Sequence, residues 1–133
     1  MKTYVTLMLV LLSHSVTAAN LSETNISEAE QQKIRIVKGI YQLTDGALAL
    51  CPKENAASFN DTLSLFKQRF PEVMDLVKNS PYRPTVKQKN VEATTALTQQ
   101  CLFKQRMLNN MIVTEEGKQT MTKALQTLTS GEN

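Results

Sequence analysis

Apolar residues recur along this chain at three- and four-residue steps from about residue 27 to residue 129, the period of a helix with one face buried. The first long run begins at Ser27, which with Glu30 has capping-box spacing. Ile34, Val37, Tyr41, Leu48 and Cys51 form one seam of it, and Ile36, Ile40, Leu43, Ala47 and Leu50 form a second beside the first. Two adjacent seams predict a central helix covered from two sides and stopped by Pro52. Gly39 and Gly46, seven residues apart, would share a face that admits a close neighbour. Asn55 or Ser58 is expected to cap the next helix, whose stripe is Phe59, Leu63, Phe66 and Phe70. Pro71 suits the first turn of a short helix that buries Val73, Leu76 and Val77.

Pro81 and Pro84 mark residues 79–84 as a loop. Thr85 and Gln88 repeat the capping-box spacing and predict a long helix carrying Val91, Leu97, Cys101, Leu108 and Met111 or Ile112. Thr114 with Glu115 and Glu116 opens a last helix lined by Met121, Leu125 and Leu128, its acids at the positive end of the dipole. No run reads convincingly as a strand. The expected fold is all-α, a bundle of four or five helices over residues 27–129.

The N-terminus reads differently. Met1 and Lys2 precede "VTLMLVLL" at 5–12 and the small residues Val16 and Ala18. That order is expected of a secretory signal cut after Ala18, with Ala19 as the second choice, and the apolar stretch is too short to span a bilayer. Residues 19–133, about 115 of the 133, would then form one domain with a loose arm at 19–26. Export implies a periplasmic or secreted protein. The leader's lysine-led start leans towards a Gram-negative periplasm, where the sequons beginning at Asn20, Asn25 and Asn60 carry no sugar. No later segment is long and apolar enough for a transmembrane helix.

Two cysteines, Cys51 and Cys101, are an even pair, which in an oxidising compartment implies one disulfide. Closing a loop of that length stabilises a fold by about 4 kcal/mol in the chain-entropy model. It would join the end of the first long helix to the middle of the later one.

Composition narrows the chemistry. His14, the sole histidine, lies inside the expected leader, so the mature chain would hold neither a Ser–His–Asp nor a Cys–His arrangement. The cysteine spacing fits no common zinc pattern, and no Gly-rich phosphate loop is present. Neither cofactor nor metal is expected, and the chain is read as non-enzymatic. Glu72 and Asp75 share a helical face, but amphipathic helices produce such pairs routinely. Without Lys2, fourteen basic residues face twelve acidic ones. That surplus lacks the concentrated basic face of a nucleic-acid binder. Lys78, Arg83, Lys87 and Lys89 cluster around the Pro loop, either as a patch for an acidic partner or as a solvated loop.

The sharpest local feature is a near-repeat, "LFKQRF" at 65–70 and "LFKQRM" at 102–107. Each copy presents an i, i+4 apolar pair, Phe66/Phe70 and Phe103/Met107, beside Lys67 and Arg69 or Lys104 and Arg106. If the two helices pack together, these pairs with Met111 would line one groove edged with positive charge, suited to an amphipathic helix with acidic flanks. The alternative is core packing with a solvated basic rim. Met74, Met107, Met111 and Met121 lack the histidine or Met-x-Met pattern of a soft-metal site and suit core filling.

The run "YQLTDGALALC", a polar turn, an amphipathic helix and then "LTQQCLFKQRML" resembles the small pilotins of type II secretion, periplasmic chaperones of secretin subunits. The resemblance spans residues 27–112. It implies a helical bundle with a disulfide at Cys51 and Cys101, and a groove that holds an amphipathic segment of a secretin C-terminus. The chain departs from many pilotins in lacking a cysteine directly after the leader and in adding a helix at 114–129. The resulting expectation is an exported protein-binding module of chaperone type. The alternatives are an immunity protein that blocks a toxin enzyme, or a carrier of a small apolar ligand.

Overall fold

The computed structural model describes residues 26–85 and 93–130. The expected leader, residues 19–25 of the arm, Lys87, Lys89 and Val91 lie outside the described residues. Every described element is helical: α1 Glu28–Leu43, α2 Asp45–Leu50, α3 Lys53–Arg69, α4 Pro71–Lys78, α5 Thr95–Val113 and α6 Glu115–Thr129. None is long and apolar enough to cross a membrane.

Backbone packing divides the chain into two compact units, Met1–Gln31 and Gln32–Asn133, with the boundary inside α1. The described part of the first is the opening turn of that helix. There the Ser27 hydroxyl accepts the Glu30 N–H at 3.2 Å, half of the capping box its spacing predicts. The core, both clefts described below and the disulfide lie in the second unit.

The long first helix of the sequence pattern is in fact two. It breaks at Thr44, where the backbone leaves helical geometry at φ −108° and ψ −103°. The Thr44 side chain is fully buried and donates its O–H to the Ile40 carbonyl at 2.7 Å, so the break carries its own polar partner into the core. The two glycines consequently do not share a face. A Cβ on Gly46 would sit 3.0 Å from the Tyr41 ring and 3.0 Å from its carbonyl oxygen, so α2 turns back closely on the end of α1. Gly39 has nothing within 4 Å of its missing Cβ.

Other boundaries also shift. Pro52, not Asn55 or Ser58, occupies the cap position of α3, and no side chain caps that helix. Pro71 stands in the first turn of α4 as its fixed φ favours. The long later helix begins at Thr95 rather than Thr85, because the Thr94 hydroxyl accepts the Leu97 N–H at 3.2 Å. Thr114 ends α5 and caps α6, accepting the Gly117 N–H at 3.0 Å.

The helix α3 packs along α5, which forms an antiparallel hairpin with α6; α4 rests on α6 and α2 on α5. Phe59, Leu63 and Phe66 of α3 and Leu108 of α5 are almost wholly buried, with Val37 and Tyr41, Val73 and Val77, and Met121 and Leu128 around them. The Cys51–Cys101 disulfide ties the entry of α3 to α5 with the two Cα atoms 5.2 Å apart. Gln105 reinforces the same pair of helices, its side-chain amide donating to the Ser58 hydroxyl at 2.9 Å and the Thr62 hydroxyl at 3.1 Å. The second seam of the first run is the less covered: it buries Ile40 and Ala47 but leaves Leu50 exposed and Ile36 and Leu43 half-buried, whereas the first buries Val37, Tyr41 and Cys51 and half-buries Ile34 and Leu48.

Candidate functional site

The incomplete cover on the second seam leaves an open groove of about 420 Å³ between α1, α5 and α6. Ile36, Gly39, Ile40 and Leu43 form the α1 wall. Phe103, Lys104, Met107 and Met111 form the α5 wall, and Thr120, Met121 and Ala124 the α6 wall. Phe66 of α3 lies at the floor, fully buried. Gly39 supplies open space where any other residue would project a side chain.

Phe103 is 61% exposed and Met107 36%, side by side at i, i+4 on α5. A phenylalanine left that far in water forgoes most of the roughly 1.5–3 kcal/mol its burial supplies. Exposed apolar surface gathered in a concavity marks an interaction site rather than the scattered apolar residues any surface carries. Lys104 is the one charged residue among those lining the groove. From Lys33 to Leu43, α1 carries Lys33, Arg35 and Lys38 and no carboxylate; α5 carries Lys104 and Arg106 and none either. The acids of α6, Glu115 and Glu116, stand in its first turn, with Lys118 beside Glu115 at 3.8 Å.

The near-repeat divides between environments. Phe66, Phe103, Lys104, Met107 and Met111 meet in the groove. Phe70 does not: it stacks on Phe66 with ring centroids 5.1 Å apart and faces a separate shallow hollow with Arg69, Glu72 and Leu125. Lys67 turns to Asp45, 3.0 Å away in a different cleft. Arg106 is exposed on α5 outside these hollows. The reason is register. Helix α3 presents the first copy's phenylalanine to the core, and α5 presents the second copy's phenylalanine outward, burying Leu108 instead. Identical sequence therefore performs two jobs.

The α1 and α6 walls escape a reading centred on the repeat. Their signal was the second seam, Ile36, Ile40 and Leu43, wider than one neighbour covers. Glu72 and Asp75 separate into different hollows, so the spacing pair forms no acid–base site. Among the described residues no group of three His, Cys, Asp or Glu side chains is placed to hold a metal ion, and no buried side-chain polar atom lacks a partner.

Such a site defines a helical domain with an open apolar groove that carries one charged residue, Lys104, in its lining. No family model, curated protein or solved structure matches the chain.

Proposed function

We propose that this is an exported, non-catalytic binding module, pilotin- or chaperone-like in mode of action. Its α1–α5–α6 groove grips an amphipathic helical segment of a partner protein in the periplasm. The observation that carries the reading is the groove itself: apolar, open to solvent and walled on α1 by a glycine with nothing within 4 Å of its missing Cβ. A helix laid there would seat anchors at i, i+3 or i+4, and i+7 against Phe103, Met107 and Ile40. Flexible methionines suit an adaptable contact. Lys104, the one charged residue among those lining the groove, favours a segment whose polar face is acidic. The disulfide supports an oxidising compartment.

The test uses a designed amphipathic peptide with leucine anchors and a glutamate-rich polar face, against a lysine-faced control of equal hydrophobicity. The acidic peptide is expected to bind saturably, the control at least about tenfold more weakly at low salt. Equal binding of both would remove the electrostatic part of the reading, and binding of neither would remove the reading. The groove's volume is also within the ~300–1,000 Å³ range of small-ligand sites. Native mass spectrometry separates that second reading by a retained mass that leaves on denaturation.

A further inference from the structure

A second hollow, of about 590 Å³, opens between α2, α3, α4 and residues 79–85, apart from the apolar groove. Its charged groups are unevenly matched. The Asp45 carboxylate takes Lys67 at 3.0 Å through Oδ1, which satisfies that pair. Arg83 approaches the other oxygen only to 3.8 Å, beyond hydrogen-bond reach. What holds Arg83 is the Tyr41 ring, 5.3 Å from the guanidinium carbon, and that ring is itself fixed in the core. Among the described residues, nothing accepts a hydrogen bond from the Arg83 side chain. Lys78 lines the same hollow and Asp75 stands one turn before it on α4, and among the described residues neither makes an ion pair. Three cations thus face two carboxylates across the cleft. Leu48, Pro71 and Met74 add an apolar wall.

We infer that this cleft is a binding site for an oxyanion, carboxylate or phosphate, carried on a short apolar body. The oxyanion sits between the Arg83 fork and Lys78, and the body lies along Leu48 and Met74. A planar guanidinium already oriented by an aromatic face loses little freedom on taking such a group through two parallel N–H donors. Lys67 neutralises the Asp45 carboxylate, and against the Asp75 carboxylate stand both Arg83 and Lys78, a surplus of one positive charge.

The test is a titration of the full chain followed by NMR, with acetate, hexanoate and inorganic phosphate as probes. Saturable shifts are expected at Tyr41, Lys78 and Arg83. Hexanoate should bind about tenfold more tightly than acetate if about half of its additional methylenes are buried. Arg83→Gln should weaken the tightest probe about tenfold, while the spectrum of the folded core stays in place. Phosphate binding above acetate assigns a phosphate head, and the reverse a carboxylate. Linear shifts without saturation, equal shifts at Lys38 and Arg106, or insensitivity to Arg83→Gln would overturn the site. Equal affinity for hexanoate and acetate would overturn the apolar body.

Discussion

Gly117 and Gly39 show how differently one residue type acts in this chain. Gly117 opens α6 against the last turn of α5, where a Cβ would overlap the Met111 Cα and lie 2.8 Å from its carbonyl oxygen. Backbone cannot swing aside as a side-chain tip does, so Gly117→Ala should destabilise the fold by about 3 kcal/mol in urea unfolding. Gly39→Ala, in an exposed helical position with nothing nearby, should instead stabilise it by up to about 1 kcal/mol. A result in which both variants lose similar stability would contradict the tight α5–α6 turn. Neither role was legible in the sequence. Gly117 follows a recognisable cap, Thr114-Glu115-Glu116, but nothing local shows that the preceding helix returns within contact of it. Phe103 belongs to the same scale. Phe103→Ala should leave the unfolding midpoint nearly unchanged, since the ring is mostly in water, and weaken the acidic peptide by about tenfold or more.

The helices themselves were well marked, by period, by Pro71 and by the Ser27 and Thr114 caps, whereas the interruptions were not. Thr44 lies in unbroken apolar periodicity, and its break depends on a hydroxyl that turns to the Ile40 carbonyl inside the core. The start of α5 went to Thr85 because Thr85/Gln88 matches a cap spacing that Thr94 lacks, yet Thr94 makes the hydrogen bond. The pairing of elements was more legible than their ends. The cysteine pair predicted a link between the end of the first long run and the later long helix, and the disulfide forms between Cys51, which ends α2, and Cys101 of α5. Replacing both with serine should cost about 4 kcal/mol, read as a lower denaturation midpoint that reducing agent no longer shifts. A midpoint equal to that of the oxidised wild type would show that the α3–α5 packing and Gln105 suffice without the staple.

At the scale of the molecule, apolar side chains stay exposed at several described positions, among them Leu50, Leu65, Leu102 and Val113, but Phe103 and Met107 stand together in one place, the α1–α5–α6 groove. That place follows from arrangement. The double seam promised a helix covered twice, but α1 buries Val37 and Tyr41 on one side while Ile36 and Leu43 on the other stay half-buried at the groove. The near-repeat suggested a groove with two equivalent walls. The structure builds an unequal one, because Phe66 is spent as core while Phe103 remains outside. Sequence pattern gives the apolar faces but not which of them finds a neighbour, and the binding reading rests on that difference.

The most direct test places a photo-crosslinking phenylalanine analogue at Phe103 in the full chain, expressed in its own cell, with Leu65 on the exposed side of α3 as the control. The account predicts one discrete crosslinked protein from position 103, mapping to an amphipathic acidic segment, and none from position 65. Adding Gly39→Leu, which projects a side chain from the α1 wall into open space, should abolish that product. Equal crosslinking from both positions, or a product indifferent to Gly39→Leu, would contradict the claim that this groove is where a partner is held.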